Sequence, residues 1–139
     1  MIKKDKIIFI CTGNACRSQI AEGLMRHLAS DKFEVYSAGS RPTRVHPAAI
    51  KVMSEIGIDI SSNTSDPISL FINKSMNIIV TVCDNAKKAC PVFSGRAKRI
   101  HWSVKDPFKN WDSSKEGLVD FRKTRDDLAE RIKNLLKVN

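Results

Sequence analysis

Short apolar runs alternate with amphipathic stretches along most of this chain. Each run is a few residues long and rich in β-branched side chains, as is typical of strands whose two faces are both buried. Strands separated by helical stretches are typical of a parallel sheet that is covered on both faces. The runs predict four strands, at Lys6–Ile10, Phe33–Ala38, Asn77–Val82 and Lys98–Trp102.

The stretches between the strands predict helices, because their apolar residues recur at intervals of three and four. The first helix spans about Ser18–Ala29, and a weaker one covers Ile68–Asn73. Another begins at Pro47, with His46 before it as a cap or first residue, and stops at Gly57. The apolar positions of the first, the Pro47 and the last helix are Ile20, Leu24 and Leu28, then Ile50, Met53 and Ile56, and then Leu118, Phe121, Leu128, Ile132 and Leu135.

This order of elements predicts an α/β protein with a flavodoxin-like three-layer fold and a four-stranded parallel sheet in the order 2-1-3-4. We expect residues 1–139 to form a single domain, because the length suits one core and no repeat or linker interrupts the chain. The first and third strands are then neighbours, and ligands of such sheets bind beyond the carboxyl ends of the strands. Residues that follow these strands are therefore the first candidates for a site.

The composition limits the cellular location and the classes of binding partner that we expect. No stretch reaches the roughly 18 apolar residues of a membrane span, and the first residues lack the apolar region of a secretory signal. We therefore expect a cytoplasmic protein that binds no membrane. The formal net charge is +9, but the basic residues are scattered and aromatic residues make up only 6% of the chain. A basic surface that attracts small anions is therefore favoured over nucleic-acid binding.

The first predicted strand runs into Cys-Thr-Gly-Asn-Ala-Cys-Arg-Ser, which begins at Cys11 and places Arg17 after five intervening residues. Gly13 and Asn14 tolerate left-handed backbone, so the loop can curl with its N–H groups inward. Inward amides, a helix N-terminus and the Arg17 guanidinium form a cradle for a tetrahedral oxyanion, and the same donors favour a thiolate at Cys11. The sequence therefore predicts a nucleophile in an anion pocket. An ordinary strand–turn–helix junction with a buried cysteine is the alternative.

The loop itself supplies the expected oxyanion-binding set, with the second cysteine of the loop as a packed thiol on its wall. Four cysteines in a reducing compartment call for a chemical explanation rather than structural disulfides. The oxyanion-binding residues are Thr12, Gly13, Asn14, Ala15, Cys16, Arg17 and Ser18.

Cys83 directly follows the third predicted strand, so we expect it at the same end of the sheet as Cys11 and about 5 Å away laterally. Cys90 comes seven residues later in a helix-compatible segment. In a helix the two residues would lie about 10.5 Å apart, so a Cys83–Cys90 bond requires the segment to unwind. Such a bond would be exposed and readily reduced, as suits catalysis. Two unrelated buried cysteines, or half of a metal site, are the alternatives, although no further ligands stand at zinc spacing.

Asp106-Pro107 follows the fourth predicted strand and should reach the same end of the sheet. A carboxyl group above an anion pocket can protonate a departing oxygen. Asp-Pro is also a common turn dipeptide, but in the company of Cys11 and Arg17 the catalytic role of Asp106 is favoured.

Taken together, these residues resemble the thioredoxin-coupled arsenate reductases, which share the low-molecular-weight protein tyrosine phosphatase fold. The similarity runs through nearly the whole chain. Beyond the run that starts at Cys11, the matching motifs are Tyr-Ser-Ala-Gly at Tyr36, Gly-Ile-Asp-Ile at Gly57, Thr-Ser-Asp at Thr64, the Cys83/Cys90 pair, His-Trp at His101, Asp-Pro at Asp106 and Arg-Asp-Asp at Arg125.

The resemblance implies that arsenate is reduced to arsenite by a relay of three cysteines. Cys11 would be the nucleophile, Arg17 and the loop amides would hold the oxyanion, and Ser18 would help to stabilise the thiolate. Asp106 would be the acid that helps to expel water when the sulfur–arsenic bond forms.

The same resemblance assigns the later steps to the other two thiols. Cys83 would attack Cys11 and release arsenite, and Cys90 would then attack Cys83 and carry the disulfide to thioredoxin. Such an enzyme serves arsenic detoxification, takes its electrons from thioredoxin and holds no tightly bound cofactor. Phosphate or sulfate should mimic arsenate, and we expect a monomer.

A potassium site near the loop is also implied by the resemblance. Its residues here would be Asn14, Glu22, Ser37 and Asp66, which all carry the oxygen atoms that a hard cation needs. Asn63 departs from the family pattern, which often has His or Gln at that position.

A phosphatase acting on phosphotyrosine or small phosphate esters is the strongest rival, because it would use the same nucleophile, arginine and acid. The phosphatase branch usually has proline where Gln19 stands and tyrosines after Asp-Pro, where Phe108 stands here. A hydrolase also has no use for Cys83 and Cys90. A non-enzymatic anion-binding or redox-sensing module is a further alternative, which thioredoxin-driven turnover of arsenate would exclude.

Overall fold

Four parallel strands form the centre of the computed structural model, which describes residues 3–84, 88, 90, 93 and 95–138. All neighbouring strands run parallel, in the order β2-β1-β3-β4. Each strand lies within one residue of its predicted bounds, and the predicted sheet order is confirmed. The strands are β1 (Asp5–Cys11), β2 (Phe33–Gly39), β3 (Ile78–Thr81) and β4 (Lys98–His101).

Helices pack around this sheet. Helix α1 packs against β1 and β2 and also against α3, while α3 packs against α2. Although α3 is 24 residues long, no helix in the described part of the chain is both long and apolar enough to cross a membrane. The helices are α1 (Arg17–Ala29), α2 (Pro47–Ser54) and α3 (Lys115–Val138).

The predicted helix over Ile68–Asn73 is wrong, because only Ile68–Leu70 form a single 3₁₀ turn. The N–H of Phe71 donates to the carbonyl of Ile68, three residues back, and the N–H of Lys74 donates likewise to Phe71. Leu70 is 60% exposed, so this segment has no apolar stripe long enough to bury a regular helix.

Two of the apolar positions named for the predicted helices are not buried, since Leu28 is 40% and Ile56 is 42% exposed. Positions four apart drift by about 40° around a helix, so Leu28 is rotated about 80° away from Ile20. Met25 is fully buried in α1 instead. Ile56 lies beyond Ser54, where α2 has already ended.

An ion-pair cluster joins α2 to α3. Glu55 accepts three hydrogen bonds from Arg122, at 2.7 Å and 3.1 Å on Oε2 and at 3.0 Å on Oε1, and its Oε1 also lies 2.9 Å from Nη1 of Arg125. The Arg122 guanidinium, followed by Arg125, lowers the pKa of Glu55 to about 2. This ion-pair cluster, which we call the clamp, therefore requires Glu55 to be ionised.

We expect this clamp to make stability depend on acidity below pH 4.5. A lowered pKa means that the contribution of Glu55 is fully present above its ordinary value of 4.5, and is lost as the pH falls towards 2. Thermal melts of the protein and of Glu55→Gln should therefore differ near neutral pH and converge on acidification. A difference that persists unchanged at the lowest pH would contradict the clamp.

Candidate active site

A cavity of about 360 Å³ opens beyond the carboxyl end of β1. The loop from Cys11 to Arg17 forms its floor, and Asp106 stands on its wall. The sequence-predicted nucleophile, arginine and acid therefore share one cavity.

Asn14 gives the loop its shape. It takes the left-handed conformation, with φ of 47°, which asparagine tolerates better than most residues. Its side chain is fully buried and donates to Ser18 Oγ at 2.7 Å and to Ser37 Oγ at 3.0 Å. Its Oδ1 accepts the N–H of Asp66 at 2.9 Å. These bonds hold the loop in the curl that turns the N–H of Asn14 towards the Cys11 sulfur.

Cys11 lies at the bottom of the cavity and is only 3% exposed. Its Sγ accepts the N–H of Asn14 at 3.2 Å and forms a hydrogen bond of 2.8 Å with Ser18 Oγ. Burial raises the pKa of the Cys11 thiol, while the Ser18 hydroxyl, the Arg17 charge and the Asn14 N–H lower it. A thiolate here stays a prediction, and it depends on these donors because they act against the cost of burial.

Arg17 and Asp106 meet above the loop. Arg17 begins α1, and its Nη2 lies 3.4 Å from Oδ2 of Asp106 while its Nη1 donates to the carbonyl of Val104 at 2.9 Å. The other carboxylate oxygen of Asp106 accepts the N–H of Phe108 at 3.0 Å, which fixes the direction of the carboxyl group. A cationic anchor and a candidate acid thus flank the same opening.

Cys16 is buried on the loop wall, as expected for a packed thiol. Burial, followed by the nearby Asp106 carboxylate, raises the pKa of Cys16 far above its ordinary value. A neutral thiol at this position is a poor nucleophile.

Cys83 lies next to the loop. Its Sγ is 3.3 Å from the hydroxyl of Thr12, the residue that follows Cys11, and it is 5% exposed. Cys90 is half-buried, and Nη1 of Arg99 donates to its Sγ at 3.6 Å. Within the described residues, no three His, Cys, Asp or Glu side chains converge to hold a metal ion.

The predicted unwinding between Cys83 and Cys90 concerns residues 85–87 and 89, which lie outside the described residues. The residue after Cys83 is tied to the sheet, because Oδ1 of Asp84 lies 2.9 Å from Nε2 of His101. The other ring nitrogen of His101 lies 2.8 Å from the Thr81 hydroxyl on β3.

Three of the four expected cation ligands, Glu22, Ser37 and Asp66, line a second, polar cavity of about 280 Å³, whereas Asn14 does not line it. Ser37 donates to Oε1 of Glu22 at 2.6 Å and accepts a hydrogen bond from Nδ2 of Asn14 at 3.0 Å. Burial, together with the Asp66 carboxylate, raises the pKa of Glu22, although Ser37 and Arg26 act the other way. Nη1 of Arg26 lies 3.2 Å from Glu22 Oε2. Two carboxylates and several neutral oxygens therefore fit a hard monovalent cation.

Sequence reasoning missed the rim of the main cavity. Arg41 and Trp111 line it, and the guanidinium of Arg44 lies 4.3 Å from the Trp111 ring centre. Topology could have identified Arg41, because it follows Gly39, which pairs with Cys11 across neighbouring strands. No periodic signal marks Trp111, which lies in a segment without helix or strand.

Gln19, which stands where phosphatases usually have proline, is another residue whose role was missed. It is fully buried, and its Nε2 donates to the carbonyls of Asn14 at 3.1 Å and Thr64 at 2.9 Å. Its Oε1 accepts from Asn63 at 3.1 Å. A proline could make none of these bonds. Gln19 therefore ties the loop from Cys11 to Arg17, which we call the anion loop, to the segment that borders the polar cavity.

Comparison with known proteins agrees with this geometry. Residues 6–138 match the family of low molecular weight phosphotyrosine protein phosphatases. The chain belongs to this family. The resemblance drawn from the sequence motifs is thereby confirmed.

Within the family, several relatives and solved structures similar to this chain are arsenate reductases. An arsenate reductase of Shouchella clausii (strain KSM-K16) is 43% identical over 132 residues, which cover 95% of each protein. A solved arsenate reductase in the phosphate binding state has a TM-score of 0.81 at 36% identity, covering 96% of this chain and 97% of that one. A thioredoxin-dependent arsenate reductase of Corynebacterium glutamicum has a TM-score of 0.72 at 28% identity, covering 97% of this chain and 61% of that one.

Proposed function

We propose that this chain is a cytoplasmic arsenate reductase that serves arsenic detoxification through a relay of Cys11, Cys83 and Cys90. The observation that carries the proposal is the 3.3 Å contact between Cys83 Sγ and the hydroxyl of Thr12. It sets a second thiol beside the residue that follows the nucleophile. A hydrolase needs no such thiol, whereas a reductase needs it to supply electrons.

In the first step, the Cys11 thiolate attacks the arsenic atom of arsenate. Arg17 and the loop amides hold the remaining oxygens, which fits their position around the cavity floor. A sulfur–arsenic bond forms as the bond from arsenic to one hydroxyl group of arsenate breaks, and this hydroxyl leaves as water after it takes a proton from Asp106. The Asp106 carboxyl group is directed to this opening by the N–H of Phe108.

In the second step, Cys83 attacks the sulfur of Cys11. A Cys11–Cys83 disulfide forms, and the electron pair of the sulfur–arsenic bond stays on arsenic, which leaves as arsenite. The Thr12 hydroxyl is placed to donate to the attacking sulfur. Cys90 then attacks Cys83, frees Cys11 and completes a Cys83–Cys90 disulfide that thioredoxin reduces. The similarity to a thioredoxin-dependent relative supports this electron donor.

The proposal is tested by arsenate-dependent NADPH oxidation with purified thioredoxin and thioredoxin reductase. We expect continuous NADPH consumption that requires arsenate, this chain and thioredoxin together. The assay is repeated with glutaredoxin and glutathione to identify the donor. Absence of turnover with every donor would refute the reductase.

Potassium is proposed as a bound ion of the polar cavity. Asn14, Glu22, Ser37 and Asp66 would hold it, and it would offset the charge of the two carboxylates there. Because Asn14 also shapes the anion loop, such an ion would stabilise the loop from behind.

Potassium binding is expected to raise the melting temperature in potassium chloride above that in choline chloride of equal concentration. Glu22→Gln should abolish this difference, because it removes a charged ligand from the cavity. Glu34→Gln, an exposed change on β2, is the matched control and should keep the difference. Identical melting temperatures in both salts would show that no ion binds.

A phosphatase remains the second candidate, because the aromatic rings of Phe108 and Trp111 line the cavity that contains Cys11. Aromatic walls favour an aryl phosphate ester as a substrate. Hydrolysis would use the same Cys11, Arg17 and Asp106, without any role for the other thiols.

A further inference from the structure

A fully buried histidine contacts both the anion loop and the segment that contains Asp106. The backbone N–H of His46 donates to the carbonyl of Ala15 in the anion loop at 3.0 Å. On its ring, Nδ1 accepts the N–H of Ala48 at 3.0 Å, and Nε2 lies 2.6 Å from the carbonyl of Asn110. Because Nδ1 accepts, the neutral ring carries its proton on Nε2 and donates it to Asn110.

The segment that contains Asp106 folds over this ring. Phe108 meets His46 edge-on with ring centres 5.5 Å apart, and Trp111 stacks on it at 5.1 Å with an interplanar angle of 18°. Phe121 of α3 lies on it with ring centres 4.7 Å apart. Residues 102–114 contain no helix or strand, so side-chain contacts of this kind decide where Asp106 lies.

Other contacts hold residues 102–114 on either side of the His46 ring, and at one end the N–H of Trp102 donates to the carbonyl of Thr81 at 2.8 Å. Arg17 holds the carbonyl of Val104, but its guanidinium must also hold the oxyanion. Lys51 reaches the carbonyl of Ser113 at 3.2 Å through an exposed contact. His46 supplies a buried anchor between these two points.

We propose that His46 is a positioning residue, which fixes the segment of Asp106 against the anion loop and thereby aims the acid at the substrate. The inference deepens the proposed function, since it rests on Asp106 as the proton donor. His46 itself touches no reacting atom in this scheme. It acts through Asp106 alone, and that restriction makes the inference testable.

His46→Asn separates this role from helix capping. Asparagine is a good N-cap and can still accept the N–H of Ala48, but it is too short to reach Asn110. We expect the melting temperature to change by only a few degrees. The kcat for arsenate should fall about tenfold with KM nearly unchanged, because the variant changes only the orientation of the Asp106 carboxyl group. The exposed histidine of α1 offers a matched control, and His27→Asn should have wild-type kcat.

A double-mutant cycle decides whether the effect passes through the acid. In an Asp106→Asn background, His46→Asn should cause no further fall in kcat, because no acid remains to be aimed. An equal fall in both backgrounds, or an unchanged kcat in the single variant, would overturn the inference.

Tryptophan emission gives a readout that needs no turnover. Of the two tryptophans, Trp102→Phe leaves Trp111 as the reporter that stacks on His46. Adding inorganic phosphate should change Trp111 emission, and His46→Asn should shift the emission to the red and abolish the response. If the wild-type protein fails to reduce arsenate, the proposed reductase function is wrong. The role of His46 is then tested by Trp111 emission and by the rate of p-nitrophenyl phosphate hydrolysis. If His46→Asn changes neither the emission nor this rate, the positioning role of His46 is refuted.

Discussion

Cys83→Ser is expected to stop multiple turnover of arsenate and to lower thioredoxin-coupled NADPH oxidation by at least about a thousandfold. A serine hydroxyl cannot attack the sulfur of Cys11, so the sulfur–arsenic bond has no route to release arsenite. The variant should keep the fold, because a buried thiol is replaced by a group of similar size beside the Thr12 hydroxyl. The measurement is the steady-state rate with arsenate, thioredoxin and its reductase.

The same variant separates the two candidate functions. Hydrolysis of p-nitrophenyl phosphate needs the nucleophile, the arginine and the acid, but no second thiol. Its rate should therefore stay within about twofold of wild type, a difference too small to reflect a lost catalytic group. Arsenate reduction at the wild-type rate would refute the relay.

Gly39→Ala is expected to deform the anion loop. A Cβ at this last position of β2 would lie 2.5 Å from the carbonyl oxygen of Thr12 and 2.9 Å from the backbone nitrogen of Asn14. Both are backbone atoms of the loop, so neither can rotate away as a flexible side chain would. We expect phosphate and arsenate to bind at least about tenfold more weakly, and the free energy of unfolding to fall by about 1–3 kcal/mol. Calorimetric titration and denaturant unfolding measure the two effects.

Gly117→Ala is the matched control. Gly117 lies in α3, and a Cβ there would meet nothing within 4 Å. Alanine favours a helix more than glycine does by up to about 1 kcal/mol, so this variant should be as stable as wild type or more so. If both glycine variants bind phosphate alike, the close approach of β2 to the anion loop has no role in anion binding.

Much of the fold could be predicted because the buried strands carry an unmistakable pattern. Ile7, Ile8, Phe9 and Ile10 are all fully buried in β1, and a run of this kind fits a central parallel strand. The chemistry-bearing residues were found for a related reason, since parallel strands bring their carboxyl ends to one edge. The strand order alone therefore places Cys83 near Cys11, because β1 and β3 are neighbours, whereas Asp106 lies in the irregular residues 102–114, whose course the strand order does not determine.

The parts of the site that could not be predicted from the sequence depend on contacts between segments that are distant along the chain. His46 and Trp111 stack although they lie in segments with no shared period, so no local pattern joins them. The environment of Cys11 shows the same limit. Sequence indicated the donors around its sulfur, whereas the opposing cost of burial depends on how completely the folded chain encloses it.

Asn14 connects the two cavities, because its N–H donates to the sulfur of Cys11, which lines the main cavity, while its side chain donates to Ser37, which lines the polar cavity. Because Asn14 connects the two sites, binding at one can be linked thermodynamically to binding at the other. Any cation in the polar cavity that tightens oxyanion binding must itself be held more tightly, by the same factor, when the oxyanion is present. The ionic composition of the surroundings would then set how much arsenate is needed for half-saturation.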